Sequence, residues 1–105
     1  MPIDVKKMLD DLRNDIRNVG PQNIDTLRKN IPAQLVNMRS FVRSTREVAG
    51  SFAEADQRCS WLMRMIEDRR WFFSDDDPEV DELREAALCA VDQLEQKIDD
   101  AGASP

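Results

Sequence analysis

Between Leu35 and Ile66 apolar residues recur at alternating steps of three and four: Leu35, Met38, Val42, Thr45, Ala49, Phe52, Asp56, Cys59, Met63 and Ile66. Only Thr45 and Asp56 break the apolar character. Such a seam winds one stripe along a helix, and a helix with a stripe must lay it against another helix. Strands, which alternate with period two, cannot present this pattern to a core. The seam therefore predicts an all-α protein, a small antiparallel helical bundle built on one long central helix over about 33–73. Gly50 lies inside that helix and is a weak point, costing roughly 1 kcal/mol relative to alanine. Ser51 with Glu54 three residues later matches a capping box. The long helix is thus expected to be bent or broken near Gly50.

The segments on either side follow the same period. Val5, Leu9, Leu12, Ile16 and Val19, with Met8 beside them, predict a first helix from Asp4 to Val19. Asp4 is suited to its N-cap, and Gly20-Pro21 to its end, with Gly20 in a left-handed C′ position. A short second helix is expected over about 22–30, carrying Ile24 and Leu27. Pro32 either takes the first turn of a new helix, the sterically preferred reading, or kinks one longer helix, since the apolar phase runs on through Ile31, Leu35 and Met38. Asp77 as N-cap and Pro78 as first helical residue predict a last helix over about 78–100, folded back on the central one. Its stripe is Val80, Leu83, Ala87, Val91, Leu94 and Ile98, with Leu88 and Ala90 alongside. Residues 101–105 read as a frayed tail. The whole chain, 1–105, is expected to form one helical domain, a length able to bury a core without metal or disulfide.

Composition narrows function more by what is missing. Histidine and tyrosine are absent, and the two cysteines, Cys59 and Cys89, fall on apolar faces as buried free thiols. No phosphate-cradling glycine loop and no nucleophile-elbow pattern occurs. The reading is non-enzymatic, with no cofactor and no metal. Asp75, Asp76 and Asp77 invite a calcium site, but an EF-hand loop needs a central glycine and a closing glutamate, and a proline stands there instead. Helix capping accounts for the cluster. No apolar run approaches the roughly 18 residues of a membrane span. The acids of the N-terminal stretch occupy the place of a signal peptide's apolar core, so an intracellular, most simply cytoplasmic, protein is expected.

Charge is divided unevenly. Residues 1–50 carry nine basic and six acidic side chains, a net of +3; residues 51–105 carry six and fifteen, a net of −9, consistent with the overall −6. The asymmetry implies pairing between the two halves or a surface with two electrostatic faces. Arg39, Arg43 and Arg46 would form a basic stripe on a continuous helix, the chemistry of phosphate binding. However, a pI near 4.6 and the lack of any nucleic-acid motif make nucleic acid an improbable partner.

The densest apolar stretch is Cys59–Phe73, with both tryptophans. Trp71, Phe72 and Phe73 are consecutive and cannot all face one stripe. Either they cap the end of the bundle over Val80 and Leu83, or they meet a partner. Aromatics beside arginines are enriched at interface hot spots. The candidate contact residues are Trp61, Met65, Trp71, Phe72 and Phe73, with Arg69 and Arg70 at the rim. They would serve a protein-protein interaction or assembly module, a homo-oligomer or a subunit of a complex. A second reading uses the acidic face of the last helix, Asp81, Glu82, Glu85, Asp92, Glu95 and Asp99, as a nucleic-acid mimic that regulates a nucleic-acid-binding protein. Asp56, on the seam, is expected to be a buried polar residue that sets register or partner.

Overall fold

The computed structural model describes residues 5–71 and 77–103. These form four helices: α1 (Val5–Asn18), α2 (Ile24–Arg39), α3 (Arg46–Asp68) and α4 (Pro78–Ala103). All described regular structure is helical, as the seam requires. Leu9, Leu12, Ile16 and Val19 are buried on the first stripe, and Val80, Ala87, Ala90, Val91 and Leu94 on the last.

The helices are joined as a ring. α3 and α4 share the most extensive contact, α2 packs on α3, and α1 closes the ring against α4 and α2. Specific ties show how each pair lies. Arg69 at the end of α3 reaches Asp77 and Glu79 at the start of α4, while Thr45 and Glu47 share a hollow with Lys97, Asp100 and Ala101. Arg28 early in α2 meets Glu67 late in α3, and Arg39 late in α2 lies over the ring of Phe52 early in α3. The chain thus doubles back at each of these connections.

The central helix is interrupted, but ahead of Gly50. α2 ends at Arg39, and α3 starts at Arg46 under Thr45, whose hydroxyl accepts the Val48 N–H at 3.1 Å. Gly50 sits within α3, so Ser51 is an interior helical residue rather than the cap of a capping box. Six of the ten seam positions, Leu35, Met38, Phe52, Cys59, Met63 and Ile66, are buried; the seam departs from the core at Val42, Thr45 and Ala49, where it counted across the interruption, and at Asp56. The buried stripe of α3 is Val48, Phe52, Ala55, Cys59, Leu62 and Ile66, with Met63 beside it. Thr45 caps, and Asp56 is exposed. It is therefore no buried register-setting residue: both phases offer steps of three and four, and the one that buries Ala55 leaves the Asp56 charge in water.

Pro32 lies in the interior of α2, so the expected short helix and the start of the central helix are one element. Ile24, Leu27, Ile31, Leu35 and Met38 are buried on both sides of it. Packing of this continuous stripe outweighs the donor that proline removes. Gly20 has no positive φ, contrary to the left-handed position expected of it. Asn23 closes that turn instead: its Oδ1 accepts the Gly20 N–H at 2.8 Å and its Nδ2 donates to the Asn18 carbonyl at 3.0 Å. The expected Asp4 cap lies outside the described residues.

At the start of α4 the sequence reading holds in detail. Asp77 Oδ1 accepts the Glu79 and Val80 amides at 3.1 and 3.4 Å, and Pro78 opens the helix. Its end does not match: the helix runs on through Ala103, with Ala101 packed against the core, so residues 101–103 are not the frayed tail expected of 101–105, of which 104 and 105 lie outside the described residues.

Candidate interaction surface

A surface can hold a partner only with side chains that the fold leaves over, so the charged residues divide first. α1 is tied to α4 by Arg13, whose Nε donates to Asp92 Oδ1 at 3.0 Å and whose Nη2 meets Glu95. Burial works against the charge of Arg13, but the hydrogen bonds it donates to Glu95 and Asp92 outweigh it and raise its pKa. Arg84 of α4 donates to the carbonyls of Ile16 and Arg17 at 2.6 and 3.1 Å. These carbonyls belong to the last turn of α1, where helical partners run out and a cation is favoured. Burial lowers the pKa of Arg84, with Asp81 opposing. Both arginines hold the fold together.

The acidic face of α4 is accordingly divided. Asp81, Glu82, Glu85, Asp92 and Asp99 are exposed and Glu95 is half-buried. Asp92 and Glu95 are engaged by Arg13, whereas Glu82, Glu85 and Asp99 form no ion pair among the described residues.

Arg69 also turns inward in function. Its guanidinium binds Asp77 at 2.6 Å and Glu79 at 2.8 Å, bridging the last residues of α3 to the first turn of α4. Those bonds raise the Arg69 pKa and hold the Asp77 carboxyl below its ordinary range. Met65 is half-buried and packs against the core. Neither is an exposed contact residue.

The tryptophans behave differently. Trp71 is 83% exposed and Trp61 42% exposed, so Trp71 does not cap the bundle over Val80 and Leu83. Each has an arginine on its ring: Arg58 lies 4.9 Å from the Trp61 centroid and Arg70 lies 5.7 Å from that of Trp71. Arg70 also approaches Asp25 of α2 at 3.5 Å. The two indoles are ten positions apart, Trp61 within α3 and Trp71 in the turn beyond its end, each with its own arginine. Phe72 and Phe73 lie outside the described residues, as do Asp75 and Asp76.

Two exposed apolar residues escaped the sequence reading: Val36 at 68% on α2 and Phe41 at 44% in the α2–α3 connection. Val36 was legible as an apolar residue off the Leu35–Met38 phase; Phe41 was not, because the connection was counted as helix. That same break separates Arg39, Arg43 and Arg46, which occupy the end of α2, the connection and the start of α3 rather than one helical stripe. Cys59 is buried as expected, whereas Cys89 is exposed because its position falls outside the stripe of α4. Burial, reinforced by Asp56, pushes the Cys59 thiol up to about 12.

Among the described residues no group of three or more histidine, cysteine or acidic side chains is arranged to hold a metal, and no helix is long and apolar enough to cross a membrane. Comparison with protein families, with curated proteins and with solved structures finds no match to this chain.

Proposed function

We propose that the chain is a non-enzymatic helical module that docks another protein, by self-association or as a subunit of a complex, through the aromatic and arginine side chains of α3 and its C-terminal end. The observation that supports this is Trp71, an indole left 83% exposed and flanked by Arg70. A tryptophan buries 150–250 Å² in a packed site, so docking Trp71 would recover on the order of 4 kcal/mol at about 25 cal/mol per Å². Exposure of that size is a cost in the isolated chain and a gain in a complex.

Trp71→Ala is the test. It should leave the helical circular dichroism intact and abolish capture of a foreign partner by the immobilised chain. A variant that captures a foreign partner as the wild type does would refute the reading. The acidic alternative, a regulator of a nucleic-acid-binding protein, has less support because Asp92 and Glu95 are bound to Arg13. Charge reversal at Glu82 and Glu85 would affect binding only in that case.

A further inference from the structure

The outward face of α3 is a row of seven exposed residues: Arg46, Gly50, Ala53, Gln57, Trp61, Arg64 and Asp68. Their steps are 4, 3, 4, 4, 3, 4, the same read from either end, with Gln57 at the middle. The chemistry is complementary about that middle. Arg46 mirrors Asp68, a cation against an anion. Ala53 mirrors Trp61, a small side chain against a large one. Gly50, with nothing within 4 Å of where a Cβ would stand, mirrors Arg64. Gln57 mirrors itself, and a carboxamide both donates and accepts.

The two end charges are misplaced for an isolated helix. Arg46 is the first residue of α3 and Asp68 the last. The helix dipole disfavours a cation at the first end and an anion at the second. Neither forms an ion pair or side-chain hydrogen bond among the described residues, and neither does Arg64. A second α3 laid alongside in the opposite direction would correct both faults at once. Its Asp68 would meet Arg46, its Arg46 would meet Asp68, and its dipole would oppose the first.

We propose that this face binds a second copy of the chain, α3 against α3, about a two-fold axis at Gln57. The contact is isologous: each pairing occurs twice. Trp61 of each chain lies over Ala53 of the other, and the stem of Arg64 crosses the bare backbone at Gly50. Arg46 and Asp68 are about 33 Å apart along the helix, so the crossing must be shallow, about 20°, for both ends to meet. One helix face is a small interface, which makes association concentration-dependent rather than obligate. This inference rests on the reading of the chain as an interaction module and names its partner.

The test is a charge swap, read by sedimentation equilibrium on the full chain from micromolar to millimolar concentration. Wild type should dimerise. Arg46→Asp and Asp68→Arg should each weaken dimerisation at least tenfold, and the double variant should restore it to within about threefold. Each single variant puts a charge on the end of α3 that its dipole favours, so thermal stability of the monomer should hold or rise while the dimer is lost. That opposition separates a broken contact from a damaged fold. With Cys89→Ser in the background, Gln57→Cys should form a self-disulfide under mild oxidation, and the same change at exposed Gln96 should not. A wild-type chain that stays monomeric at millimolar concentration overturns the proposal, as does a double variant no better than the singles. A monomer that still captures a foreign protein through Trp71 overturns this dimer alone; a monomer that captures nothing overturns the module reading as well.

Discussion

Gly50→Ala tests the architecture of α3 directly. Glycine inside a helix costs about 1 kcal/mol relative to alanine, through the backbone freedom it gives the unfolded chain. Gly50 lies within α3, its φ is not positive, and a Cβ there would meet nothing within 4 Å. No steric loss and no burial gain therefore offset the helix term. The substitution should stabilise the monomer by roughly 0.5–1 kcal/mol. With an unfolding entropy of about 2.1 cal/mol/K per residue, that raises the midpoint by roughly 2–5 °C for a chain of this length. Thermal circular dichroism at low micromolar concentration keeps association out of the measurement, and urea melts should show a higher midpoint at unchanged slope. A neutral or destabilising result would place Gly50 at a hinge with a conformation alanine resists, and the continuous α3 would be refuted.

Two further outcomes follow from titratable groups. Asp77 is held below its ordinary value of 3.8, first by the hydrogen bonds from Arg69 and then by the Val80 and Glu79 amides. A folded pKa below the unfolded one gives stability that is present above about 3.8 and lost as pH falls through the lower folded value; Asp77→Asn, which keeps a capping oxygen, should flatten this acid limb in melts taken from pH 6 to 2. For the thiols, the native chain should react with a thiol reagent at Cys89 alone and at both cysteines in denaturant, and the share of stability held by Cys59 should be full below its ordinary 9.0 and decline as pH rises toward about 12. Fast labelling of Cys59 in the native state would show that α3 opens far more readily than its buried stripe implies.

The helices were legible where one apolar stripe met one clear stop. The start of α4 could be read to the residue because Asp77 and Pro78 each solve a different problem of a helix start, whereas its end could not, because Ala101 is held by packing against the core. The central region was read less well because sequence periodicity counts residues, not turns. Thr45 could be placed on a stripe as easily as at a cap, and only the docking of α2 against α3 selects the cap. Asp56 and Ala55 posed the same ambiguity, resolved by which neighbour the core would accept. Pro32 was given a helix start on local sterics, yet Ile31 and Leu35 bury on one face and carry the helix through it. The candidate surface was half visible: tryptophans beside arginines could be picked out. Which arginines serve the fold could not, because Arg69–Asp77 and Arg13–Glu95 are tertiary facts.

This division of charges is also what gives the remaining surface its meaning. A surface ion pair contributes little to stability, commonly below 1 kcal/mol, so a fold need not pair every charge. It is more telling that this fold pairs some across helices and leaves others at the ends where their own helix repels them. Arg13, Arg28 and Arg69 each bind a carboxylate of another helix or its cap. Arg84, at the α1 terminus, sits where a cation is favoured. Arg46 and Asp68 have neither advantage. Swapping those two identities would improve α3 in isolation by a few tenths of a kcal/mol at each end. Selection for monomer stability alone would favour the swap; in the antiparallel dimer each charge as it stands lies beside the partner helix's end of opposite sign, which offsets that preference. If Arg46→Asp and Asp68→Arg together leave association untouched while raising the melting temperature, the partner reads the pairing and not its polarity, as the two-fold requires. If they raise the melting temperature and association is absent in both forms, the placement has no role in contact and the argument from misplaced charge fails.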